Sequence, residues 1–74
     1  MWIKSQSKSL LLKAENIEVR QVNPFKIEEG FGLRVNNEHY VGTFGSKERA
    51  IEELNLILFR IESGKLTYEI GEEK

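Results

Sequence analysis

Residues 46–64, SKERAIEELNLILFRIESG, carry a helix start, a helix stop and a one-sided apolar pattern in one stretch. Ser46 offers the short oxygen-bearing side chain of an N-cap, Glu48 puts negative charge in the first turn, and Gly64 follows the last periodic residue. Ala50, Ile51, Leu54, Ile57, Leu58 and Ile61 share an arc of about 120° when successive residues are turned by about 100°. The spacing predicts a long amphipathic helix over 46–64, docked through that stripe with Leu54 among its most buried residues. The rest of the chain must supply the strands beneath it. The class is therefore α+β: an antiparallel sheet of four to five strands, one long helix packed on it, and a short C-terminal strand.

Working outward, Trp2 to Ser5 alternates apolar and polar, Gln6-Ser7-Lys8 is a polar turn, and Ser9 to Lys13 resumes as an apolar run, which together read as a hairpin. Residues 17–22 alternate cleanly, with Ile17 and Val19 inward; Asn23-Pro24 interrupts the strand, and Phe25 and Ile27 extend its edge beyond the break. Phe31, Leu33 and Val35 face one way and Gly32 and Arg34 the other. Asn36-Asn37 tolerates positive φ and turns the chain into a strand from His39 to Phe44. Lys65 to Ile70 alternates once more, with Leu66, Tyr68 and Ile70 on one face. No repeat or linker divides the chain, so residues 1–74 form one domain, with strands in 1–44, the helix in 46–64 and a last strand in 65–70.

At 74 residues, without cysteine and with a single histidine, the chain has no disulfide and no thiolate metal site, and a structural zinc site is close to excluded. Stability must come from packing, which at this size is rarely worth more than about 3–5 kcal/mol, and a second copy would relieve that limit. Eleven basic and twelve acidic residues give a net charge of −1, so no global field draws in nucleic acid or acidic lipid. No apolar run approaches the roughly 18 residues of a membrane span, and no export signal is visible, which points to the cytoplasm.

Two segments carry a resemblance. The opening Met-Trp-Ile-Lys-Ser-Gln and the junction Gly42-Thr43-Phe44-Gly45-Ser46-Lys47-Glu48-Arg49-Ala50 resemble a family of small uncharacterised proteins of Firmicutes and their phages or mobile elements. Those proteins begin Met-Trp-Ile-Arg/Lys-Ser-Gln and have a Gly-x-aromatic-x-Ser-x-Glu-Arg-Ala passage from strand to helix. The resemblance covers roughly residues 1 to 62. It implies a small cytoplasmic α+β domain and carries over no catalytic residue.

Enzymatic parts are scarce. Gly30-Phe31-Gly32 lacks the third glycine of a dinucleotide fingerprint and reads as a bulge or bend. His39 and Glu38, as neighbours along a strand, point to opposite faces and make no acid-base pair by adjacency alone. Glu28-Glu29 sits beside a turn and Glu52-Glu53 on the exposed side of the helix, and nothing in the pattern makes them converge. No serine stands in a nucleophile elbow, and no cofactor, metal or catalytic residue is assigned.

Interaction is the better reading. Leu56 and Phe59 fall outside the core stripe, so either Leu66, Tyr68 and Ile70 fold back over them or a partner does. These five residues are the expected protein interface, with a second copy of the chain as partner in a homodimer. The alternative is a nucleic-acid-binding accessory protein. Residues 1–47 hold seven basic side chains against five glutamates, and Lys4, Lys13, Arg20 and Arg34 on the strands would carry the contact. Trp2, Phe25 and Tyr40 could stack on bases, although Trp2 and Phe25 are more useful as core. A membrane surface is excluded because the polar side of the helix is acidic.

Overall fold

The computed structural model describes residues 1–23, 25–26 and 30–71. Asn36 and Asn37 both take positive φ (55° and 60°), as a primed hairpin turn requires, and join β4 (Phe31–Val35) to β5 (His39–Phe44). Antiparallel pairing with β3 (Ile17–Gln21) completes one sheet in the order β3-β4-β5. β5 carries one extra residue at Val41, which shifts the register between Leu33↔Gly42 and Arg34↔Tyr40. Gly32 is where the Tyr40 ring lies down: a Cβ there would collide with Tyr40 Cδ1. Gly30 takes φ 83°, and a Cβ on it would run into the Phe44 carbonyl oxygen.

The hairpin expected in the first thirteen residues pairs β1 (Trp2–Lys4) with β2 (Leu11–Lys13). β6 (Thr67–Glu69) joins the other edge of β1 in parallel, so the sheet order is β2-β1-β6. The architecture is thus α+β, with two three-stranded sheets where one antiparallel sheet of four to five strands was expected. Two amide side chains knit these sheets together. Gln6 donates its backbone N–H to Val41 O (2.6 Å), while its Oε1 accepts from Thr43 N (3.0 Å) and its Nε2 donates to Thr43 O (3.2 Å) and Gly71 O (2.9 Å). The side chain stands in for a strand residue along β5. Asn36 does the same for the β2–β3 link: Oδ1 accepts from Glu15 N (2.8 Å) and Nδ2 donates to Lys13 O (2.9 Å).

Helix α1 (Lys47–Glu62) begins at an N-cap as expected, with Ser46 extended and its Oγ accepting from Arg49 N at 3.1 Å. It packs on β3, β4, β5 and β6 over a core of Ile3, Leu33, Val35, Val41, Phe44, Ala50, Ile57 and Ile70. The docked face differs from the stripe. Ala50, Glu53 and Ile57 are buried and Leu54 only partly so, while Ile51, Leu58 and Ile61 stay 39%, 52% and 49% exposed. In projection the helix is rolled by roughly 50° from the orientation that would bury the whole stripe. The cause is Glu53, read from sequence as exposed but buried here, whose bonds draw that flank inward.

Other expectations need correction. Trp2 is 44% and Phe25 92% exposed, so neither is core. Phe25 lies in a turn rather than along the edge of β3, because Asn23 Oδ1 accepts from its N–H at 2.9 Å and bends the chain there. Ile27 and Glu28-Glu29 lie outside the described residues. Ile17 and Val19 face the core as expected.

Candidate functional site

The most concentrated chemistry is at the carboxylate of Glu53. It accepts from the Tyr68 hydroxyl (2.7 Å), the Gly71 N–H (2.7 Å) and Arg49 Nη1 (3.0 Å), and Arg49 in turn lies over the Phe44 ring at 4.8 Å. α1 supplies acid and base one turn apart, β6 supplies the phenol, and the segment after it supplies the amide. Burial pushes the Glu53 carboxyl up, but the bonds from Gly71, Tyr68 and Arg49 outweigh it and hold the group below the usual carboxylate range. Burial, with the hydrogen bond to Glu53 and its charge, pushes the Tyr68 phenol well above its ordinary value. Such an arrangement stabilises the ionised acid and the neutral phenol. Each group is spent on the other, so the cluster fastens the C-terminal strand to the helix.

On the flank of α1 left outside by the roll, an open cleft of about 320 Å3 runs between the helix and the β2–β3 link. Leu54, Leu58 and Ile61 form one wall and Met1, Ala14 and Ile17 the other, so the lining is mainly apolar. Further round the helix, Leu56 and Phe59 are 50% and 66% exposed, and Leu66 beyond its end is exposed too. The C-terminal strand does not cover Leu56 and Phe59. Of the five residues expected at the interface, Ile70 belongs to the chain's own core and Tyr68 is half-buried against Glu53.

The four basic residues expected to contact nucleic acid divide between two sheets. Arg20 and Arg34 share one acceptor, Glu18, whose Oε1 lies 3.6 Å from Arg20 Nη1 and 2.8 Å from Arg34 Nη2. Lys4 and Lys13 stand on the other sheet and form no ion pair among the described residues. His39 Nε2 comes within 3.6 Å of Glu38 Oε2, since Glu38 lies in the turn rather than in β5, but both are exposed. Among the described residues no group of three His, Cys, Asp or Glu side chains could hold a metal ion, and no helix is long and apolar enough to cross a membrane.

Glu53, Gln6 and Asn36 escaped the sequence reading. A signal for Glu53 existed: it is four residues after Arg49 and flanks Ile57 and Ala50 in helical projection. Nothing local marks Gln6 or the side-chain role of Asn36, whose partners lie 20 residues or more away. No family model, curated protein or solved structure matches the chain.

Proposed function

We propose that this chain is a small non-enzymatic interaction protein that assembles as a homodimer through the exposed flank of α1. The observation that supports it is the row Ile51, Leu54, Leu58 and Ile61, half of it in solvent beside an apolar cleft. Their spacing of three and four residues is that of a coiled-coil seam, a surface that fits another helix of the same kind. A two-fold antiparallel pair sets Ile51 against Ile61 of the partner subunit and Leu54 against Leu58 of the partner subunit, so the row is complementary to itself. The helix is about 24 Å long, and Leu56 and Phe59 lie on its other side, outside this seam. A second copy also supplies the buried area that a small domain without disulfides lacks. The setting is that of a phage or mobile-element protein of the cytoplasm, on the strength of the resemblance in residues 1 to 62.

Sedimentation equilibrium tests the assignment. The parent chain is expected to sediment as a dimer and Leu58→Glu as a monomer with an unchanged far-UV spectrum. A parent that stays monomeric at high concentration overturns the reading. Dissociation by Phe59→Glu with a Leu58→Glu variant still dimeric moves the contact to the other side of the helix and overturns the seam.

A further inference from the structure

A different surface stands apart from that flank. In sheet β2-β1-β6, Ile3, Leu12 and Tyr68 pair across the strands and turn toward the core. Their neighbours point the other way, so Trp2, Lys4, Leu11, Lys13, Thr67 and Glu69 form the outer face. Register sets Lys13 directly across from Trp2, and Lys4 follows two residues along the same strand. A large aromatic side chain, 44% exposed, is thereby bracketed by two lysines that form no ion pair among the described residues. This is an unusual place for tryptophan, since the core it could fill is only one residue away at Ile3.

The basic character continues on both sides. An open cleft of about 370 Å3 runs from Lys4 to Arg60, which reaches the β6 edge with its guanidinium 6.0 Å from the Tyr68 ring centre. Another of about 270 Å3 runs from Lys4 to Lys8 in the β1–β2 turn, and both clefts include Lys4 and Leu11. Lys8, Lys4, Lys13 and Arg60 thus oppose one carboxylate, Glu69, among the described residues of these strands and clefts. The overall charge of −1 conceals this local excess.

We infer that the outer face of sheet β2-β1-β6 binds single-stranded nucleic acid, with one base stacked on Trp2 and the flanking phosphates held by Lys4, Lys13, Lys8 and Arg60. Charge complementarity selects a polyanion, and the exposed ring selects one with accessible base faces. Paired bases in a duplex have no free face to offer, so single strands are preferred. The surface is separate from the helix flank proposed for dimerisation, and either can fail without the other.

Trp2 is the chain's one tryptophan, so its fluorescence reports on this face directly. Titration with a deoxythymidine oligomer at low salt is expected to quench it, and the same strand annealed to its complement is expected not to. Four phosphate contacts predict a slope near −3 in log affinity against log salt, or a loss of roughly 50-fold between about 50 and 200 mM. With a fluorescently labelled oligomer, Trp2→Ala is expected to weaken binding by roughly 5- to 150-fold. Lys4→Ala is expected to lower the salt slope by about 0.7. Absence of binding at low salt overturns the proposal. So does equal affinity for inorganic polyphosphate with no quenching, or binding that both substitutions leave unchanged.

Discussion

Glu53 is the residue on which the joining of the helix to the C-terminal segment depends. Replacing it with alanine leaves the Tyr68 hydroxyl, the Gly71 N–H and the Arg49 guanidinium without their acceptor. The expected cost is roughly 3–5 kcal/mol, the range for removing one member of a buried charged set, and comparable to the whole stability of a domain this size. Glu53→Gln keeps an acceptor oxygen and is expected to cost less, which urea titration of the two variants will rank. The acid limb follows from the sign of the shift. Because the folded carboxyl is held below its ordinary value, the unfolded chain takes up the proton first. The stabilisation is therefore complete above about pH 4.3 and is lost as pH falls through the folded value. Tyr68 behaves oppositely: its raised phenol contributes below about pH 10, and the contribution is lost as pH climbs beyond. Melting temperatures are expected to fall at both extremes in the parent, the acid component vanishing in Glu53→Gln and the alkaline one in Tyr68→Phe.

The helix shows what a periodic pattern can and cannot convey. Its start at Ser46 and its end before Gly64 were legible, because caps and dipole charges act within one turn. Its roll was not, because the pattern assigns the whole apolar stripe to the core and has no means of weighing one well-bonded carboxylate against two aliphatic groups. Glu53 on one flank is buried, and Ile51 and Leu58 on the other are left half outside, while Ile61 is exposed in the last turn. Consequently Ile57→Ala, at a site 1% exposed, is expected to cost roughly 2–5 kcal/mol, and Leu54→Ala distinctly less. Thermal unfolding of the two variants checks the order, which the unrolled stripe would reverse or equalise. Trp2 failed for a related reason: bulk and apolarity favour burial on average, but register alone decides which face of a short strand a residue occupies, while Phe25 lies in the turn that Asn23 bends and in no strand at all.

Across the whole molecule the hairpins and class were readable from local alternation and turn residues, whereas the split into two sheets was not. That split rests on Gln6 and Asn36, polar residues whose turn-like surroundings give no hint of their bonds to distant backbone. Gln6→Ala removes both side-chain bonds to Thr43 in β5, and is expected to cost roughly 1–3 kcal/mol. Hydrogen exchange is expected to quicken at the Thr43 amide more than within β3, where the sheet is intact without Gln6. The parallel pairing of β1 with β6 has a consequence for how the protein is made. Trp2 and Thr67 are partners, 65 positions apart, so the first strand leaves the ribosome long before its neighbour exists. Until then β1 can pair only with β2, and its other edge, with an open row of amides and carbonyls, is exposed to any strand nearby. Closure of this sheet therefore comes late in biogenesis, and crowded nascent copies are most at risk of sticking together in that interval.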